Sequence, residues 1–156
     1  MPPINTRPAT LNDLSTLLQF EQGVIEAERP FDTTLKDEKI HYYDIKELIT
    51  APHIQLLVAE SEGQLIGSGY ARIKQVTASK YKHQRFAYLG FMYVLPTFRG
   101  RGVNGLIING LKEWCTLQGI TELQLEVYND NPAAIKAYQK VGFSKLMVSM
   151  RMNLED

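Results

Sequence analysis

Two arginines set among three glycines, Arg99-Gly100-Arg101-Gly102-Val103-Asn104-Gly105, are the residues whose types and spacing most directly imply chemistry. They fall between an extended apolar stretch ending at Val94 and a helical pattern with apolar positions Val103, Leu106, Ile107, Leu111 and Trp114. A helix start carries backbone N–H groups without partners and a partial positive charge. Glycines let the backbone come close to a ligand. Together these make a cradle for a pyrophosphate, and Arg99 and Arg101 add charge to it. Taken alone, the same turn is equally a tight surface bend. Gly100, Gly102 and Gly105 also fit the GxGxxG spacing, with Glu126 at about the right distance for a ribose, so an NAD-type nucleotide-binding module is the rival reading. Two observations count against it. In that fingerprint the first glycine sits at the strand end, whereas here Leu95-Pro96-Thr97-Phe98-Arg99 intervenes. The unit also follows a helical pair and a hairpin instead of heading a series of β-α units.

The elements that must position this turn can be read from periodicity. Thr10-Leu11-Asn12-Asp13 has the form of a capping box, and Leu14, Leu17, Leu18 and Ile25 follow at helical spacing, which predicts a helix over 11–28. Ile40, Tyr43, Ile45 and Leu48 predict a second helix over 35–50, ended by Pro52. The period then changes to two. Residues 54–59 and 65–77 read as strands joined by Ser61-Glu62-Gly63-Gln64, an antiparallel hairpin. Residues 86–94 read as a third strand, and Lys80-Tyr81-Lys82-His83-Gln84 before it as an exposed basic loop. A helix from the glycine turn ends at Gly119, and Leu123, Leu125 and Val127 alternate as a strand. Asn131-Pro132 reads as N-cap and first residue of another helix, with Ile135, Tyr138 and Val141 on or near one face, and Gly142 ends it. Residues 143–154 alternate again and predict a final strand. The order β-α-α-β-β-β-α-β-α-β predicts a mixed sheet with helices on both faces.

From about residue 88 to 143 the sequence resembles the GCN5-related N-acetyltransferases, the GNAT superfamily. Val94-Leu95-Pro96, then Arg99-Gly100-Arg101-Gly102 opening a helix, then Leu125-Glu126-Val127, Asn131 and Tyr138-Gln139-Lys140-Val141-Gly142-Phe143 match that family's spaced elements in order. Asn104 departs from the family's usual Gly or Ala, and Gly105 follows it. The resemblance implies a mostly antiparallel mixed α/β sheet with a splayed parallel strand pair, formed by one domain over 1–156. It implies acetyl-CoA as cosubstrate and direct acetyl transfer to a primary amine, on a small molecule or a peptide N-terminus, in a ternary complex. It places pantetheine along the backbone of Met92, Tyr93 and Val94, as an added strand, and the diphosphate on Arg99 through Gly105, Val103 and Asn104 included. Asn131 would touch pantetheine, cap its helix, or both. The Glu28-Arg29-Pro30-Phe31-Asp32 stretch between the first two helices would line the acceptor site, with Phe31, Tyr42 and Tyr43 as candidates to shape it; they are equally packing residues. A catalytically inactive CoA-binding sensor remains the other alternative.

Acetyl transfer to an amine sets two proton requirements. The amine, with a free pKa near ~10.4 for a lysine-type group, must lose a proton, and the leaving thiolate gains from receiving one. The resemblance makes Tyr138 the acid beside the CoA sulfur. Glu126 is the candidate base: Leu123, Leu125 and Val127 share one face of their strand, so Glu126 takes the other. This Glu-to-Tyr arrangement is similar to that of ribosomal-protein N-terminal acetyltransferases. A solvated strand carboxylate, with ordered water as the base, is the competing reading.

Composition bounds the rest. Lys plus Arg and Asp plus Glu both total 17, so the net charge of zero disfavours general binding to nucleic acid or anionic membranes. Any anion must be held by a local site. One cysteine, Cys115, excludes an internal disulfide, and no Cys/His spacing suggests a metal. Met1-Pro2-Pro3-Ile4-Asn5 has no leader pattern, and no apolar run approaches the ~20 residues needed to span a bilayer, so a cytoplasmic address is expected. The family resemblance leaves homodimerisation through the last strand open.

Overall fold

The structure, a computed structural model, describes residues 2–155; Met1, where the leader reading begins, lies outside them. In chain order the elements are β1 (Asn5–Pro8), α1 (Leu14–Glu28), α2 (Ile45–Thr50), β2 (Ile54–Ser61), β3 (Gln64–Gln75), β4 (Arg85–Val94), α3 (Val103–Leu117), β5 (Leu123–Gln124) and α4 (Pro132–Lys140). They fall into two compact units, Met1–Glu126 and Val127–Asp156.

The first unit is built on a sheet of order β1-β2-β3-β4-β5 among the described residues. Its strands are antiparallel up to β4, and β4 with β5 is the parallel pair. Glu62 and Gly63 both have positive φ (52° and 78°), the two-residue turn whose twist matches that of the β2–β3 hairpin it closes. Strand alternation sends side chains to opposite faces. Leu56 and Val58 join Leu17, Phe20 and Val24 of α1, Ile45 and Leu48 of α2, Tyr70 and Phe91 in one buried cluster. On the other face α3 buries Val103, Ile107, Ile108, Leu111 and Cys115. The approach there is close: a Cβ added at Gly110 of α3 would stand 2.7 Å from Leu57 Cδ1. Helices therefore cover both faces, as the element order predicts.

β4 is bent where it matters. Its register against β3 slips between Ser68 and Tyr70, so that Phe91 and Met92 together face Gly69. Phe91 takes up the slip with φ +54°, a left-handed conformation unusual for a non-glycine residue. The buried Ser68 hydroxyl donates to the Phe91 carbonyl at 2.9 Å and so holds the bulge. Gly69 leaves room for it, since a Cβ there would meet Met92 Sδ at 2.5 Å.

Three sequence expectations need correction. The helix expected over 35–50 exists only at Ile45–Thr50. Side chains of α1 and of the turn after it take the hydrogen-bonding groups that a longer helix would have used: Glu21 accepts from Tyr42 and Tyr43 N–H, and Arg29, just past α1, donates to the carbonyls of Lys36 and Glu38. The strand expected through Val127 ends at Gln124. The final strand expected over 143–154 is not formed: the described residues of the second unit hold α4 and no strand. Alternation marks two faces, but a ladder also needs a neighbouring strand to receive its backbone groups.

Candidate active site

The glycine turn begins where β4 ends. Pro96–Phe98 forms a 3₁₀ turn, and Gly100 and Gly102 both adopt left-handed φ, +77° and +79°. Gly102 is the N-cap of α3. Leu106 N–H donates to Gly102 C=O at 3.1 Å, so the amides of Val103, Asn104 and Gly105 lie ahead of the helical ladder. A Cβ added at Gly100, Gly102 or Gly105 would meet nothing within 4 Å. The space over the turn is open, which fits a diphosphate lying on it. Asn104 is half-buried in the first turn of α3. Arg99 folds back, its Nε–H donating to Val94 C=O at 3.0 Å with its guanidinium 5.9 Å from the Tyr93 ring centroid. Arg101 lies 5.2 Å over the Phe98 ring.

Beside the turn, β4 and β5 part. Their pairing consists of Ala87↔Leu123 and Tyr88↔Gln124, so beyond Tyr88 the β5 side of β4 has left the ladder. Met92, within the bulge, and Tyr93 and Val94, past it, lie in this stretch. On the β3 side Tyr93 and Val94 stay in register with Ser68 and Gly67. The Tyr93 ring is tilted on Phe20 of α1 at 4.9 Å, which fixes the strand end against the helix.

Glu126 is exposed and accepts a hydrogen bond from the Tyr88 hydroxyl, 3.3 Å. Burial, and then the charge of Glu126, push the Tyr88 phenol well above its ordinary range, so it stays a neutral donor. Glu28, the last residue of α1, also acts electrostatically on Tyr88. Burial raises the Glu28 carboxyl above the usual carboxylate range, against a hydrogen bond from the Tyr42 side chain that lowers it. Tyr43 stacks on Phe91 at the bulge, centroids 4.6 Å apart, and meets Tyr70 and Tyr42 edge-on. Phe31 is half-buried in the 3₁₀ turn that follows α1. The first unit thus brings together the splayed edge, the glycine turn, Glu126 and the aromatic segment ending in Tyr43.

Asn131 and Tyr138 belong to the second unit. Asn131 is the N-cap of α4, its Oδ1 accepting from Ala134 N–H at 3.2 Å, so the capping role read from sequence is present. Tyr138 is half-buried, its ring edge-on to Phe143 at 6.0 Å. Sequence reasoning missed Glu21 and Tyr88, and it singled out the stretch that begins at Glu28 without giving that carboxylate a role. Tyr88 was within reach of it, because a parallel register of β4 with β5 sets this phenol near Glu126. The partners of Glu21 lie 20 or more residues away and carry no local pattern.

Among the described residues no group of three His, Cys, Asp or Glu is arranged to hold a metal ion, and no helix is long and apolar enough to cross a membrane.

Comparison with known proteins supplies the family. Two curated relatives, aminoglycoside N(6')-acetyltransferases type 1 of Salmonella typhimurium and Salmonella enteritidis, are each 29% identical over 105 residues, 67% of this chain and 72% of theirs. The solved structure of a mutant of the BH1408 protein from Bacillus halodurans superposes with a TM-score of 0.87 at 18% identity, over 97% of this chain and 99% of that one. The aminoglycoside acetyltransferase AAC(6')-Iy in complex with the bisubstrate analogue CoA-S-monomethyl-acetylneamine superposes with a TM-score of 0.72 at 22% identity, over 99% of each chain. The model of the acetyltransferase (GNAT) family matches residues 16–143, from α1 through the end of α4 and across both the glycine turn and the splayed strands. The chain belongs to the GNAT family and is an N-acetyltransferase, with acetyl-CoA as its acyl donor.

Proposed function

We propose that the enzyme acetylates a primary amine of a small, cationic acceptor of the aminoglycoside kind, by direct attack on acetyl-CoA in a ternary complex, with the whole chain acting as one catalytic domain. The observation that carries this is the parting of β4 from β5 beside a glycine turn with open space above it. Pantetheine runs along Met92, Tyr93 and Val94 as an added strand. The diphosphate sits on the amides of Arg99 through Gly105, Val103 and Asn104 included. An amide of the parted strand donates to the thioester oxygen as charge develops on it. Glu126, hydrogen-bonded by Tyr88, takes a proton from the acceptor ammonium, directly or through water, and the free amine attacks the thioester carbonyl. Tyr138, on its match to the family motif, returns a proton to the departing thiolate. Asn131 contacts pantetheine while capping α4. Phe31 and Tyr43 line the acceptor side, where the carboxylates of Glu28 and Glu126 favour a cation. The curated relatives that acetylate aminoglycosides support the acceptor class.

The test is CoA thiol release by the full chain with acetyl-CoA and three amines: an aminoglycoside with a free 6'-amine, a linear polyamine and a peptide with a free N-terminus. Fastest release with the aminoglycoside is expected. Release with the peptide alone would replace the acceptor class. A thermal shift with acetyl-CoA but no release with any amine would favour the inactive sensor.

A further inference from the structure

The geometry points to Glu21 as a positioning residue for the acceptor: its buried carboxylate straps the segment that carries Tyr42 and Tyr43 onto α1 and sets the Tyr43 ring over the β4 bulge.

Glu21 lies in the middle of α1 and is fully buried, among the few buried charged residues described. A carboxylate removed from water is costly unless its oxygens are satisfied. Here they are satisfied by one segment alone. Oε2 accepts from the backbone N–H of Tyr42 at 2.9 Å and of Tyr43 at 2.8 Å, and Oε1 stands 2.7 Å from His41 Nδ1. One residue along, Gln22 donates to the Ile40 carbonyl at 2.9 Å. A single turn of α1 therefore fixes four consecutive residues, 40–43, that form no helix or strand of their own. The segment leads directly to the Tyr43 ring on Phe91, next to the stretch of β4 that is free on its β5 side. Packing alone would let a loop of this kind slide. Two backbone hydrogen bonds to one fixed oxygen prevent that and define the ring positions to within a fraction of an ångström.

The carboxylate ties an otherwise irregular segment to α1, and the Tyr43 ring it orients packs on the core residues Phe91 and Tyr70 while staying partly exposed where β4 has left β5. A split between the two KM values separates positioning of the acceptor from a purely structural role. The inference rests on the reading that Tyr43 lines the acceptor side.

The experiment is steady-state kinetics of the full chain with the amine found active in the acceptor panel, varying each substrate at saturation of the other. Glu21→Ala leaves two buried amides without an acceptor. It should raise the acceptor KM 10-fold or more, with kcat and the acetyl-CoA KM within about threefold of wild type. Glu21→Gln keeps an oxygen for Tyr42 and Tyr43 and offers N–H groups to a neutral His41, and should restore the acceptor KM to within about threefold. Should Glu21→Ala not fold, His41→Ala, made at an exposed side chain, removes one of the three bonds and should raise the acceptor KM two- to fivefold with the acetyl-CoA KM unchanged. An acceptor KM unmoved in both folded variants would overturn the inference. So would a parallel rise in the acetyl-CoA KM, which marks general loosening of the fold. A wild-type enzyme that releases no thiol with any amine instead defeats the reading of function, and the inference with it.

Discussion

At the scale of single residues, the proton donor gives the sharpest prediction. Removing the Tyr138 hydroxyl alone keeps the ring that packs edge-on to Phe143. Tyr138→Phe should therefore bind acetyl-CoA with nearly the same affinity as wild type. Its kcat should fall by about 10²-fold, the lower range for a lost general acid. Calorimetric binding of acetyl-CoA beside thiol-release kinetics separates the two quantities, and an undiminished kcat removes the acid role. Tyr138 and the glycine turn were legible because each sits in a short local motif: Tyr138 four residues before Gly142, and Gly100 and Gly102 between a proline-stopped strand and a helix. Glu21 was not. Nothing near it in sequence distinguishes a helix carboxylate facing solvent from one that meets a backbone 21 and 22 residues on.

Elements were legible where the period was long and the partner local, as in the β2–β3 hairpin. They were misread where side chains from elsewhere claimed the backbone, as at 35–44, or where a ladder needed a distant neighbour, as at 143–154. The joint between β1 and the start of α1 shows what local signals did deliver. Asp13 closes the capping box by accepting from Thr10 N–H at 2.8 Å, and Arg7 of β1 grips both its oxygens at 2.9 and 3.0 Å. The Arg7 guanidinium holds the Asp13 carboxyl below its usual range, partly opposed by burial. A depressed folded-state pKa means that the stabilisation is complete above the unfolded value of about 3.9 and is lost as pH falls through the folded value. Asp13→Asn should cost about 1–2 kcal/mol at pH 7, a fall of roughly 2–8 °C in Tm for a chain of this size. Its melting temperature should also depend less on pH than that of wild type below about pH 4. Equal slopes for the two proteins there would show that the pair contributes nothing.

For the molecule as a whole, Cys115 is a built-in reporter of opening. It lies on the buried face of α3 with no exposed surface, and burial pushes its thiol up to about 11, so at neutral pH it is both covered and un-ionised. A thiol reagent reaches it only when α3 comes away from the sheet. The first-turn amides of the same helix, at the far end from Cys115, are those proposed above to hold the diphosphate. Binding at one end must therefore suppress exposure at the other, because a ligand that binds only the closed form lowers the open population by a factor of 1 + [L]/Kd. Acetyl-CoA suits the measurement, since it has no free thiol of its own. The native chain should consume almost no reagent at pH 8, and the denatured chain one equivalent. Acetyl-CoA at about 100 times its Kd should slow native labelling by about 100-fold, a stabilisation of roughly 2.7 kcal/mol, provided that closing outpaces labelling. Slow labelling without ligand also means that Cys115 adds little background to the thiol-release assay. If acetyl-CoA bound yet left the labelling rate unchanged, α3 would open with the ligand in place, and the glycine turn would not be the grip on the diphosphate.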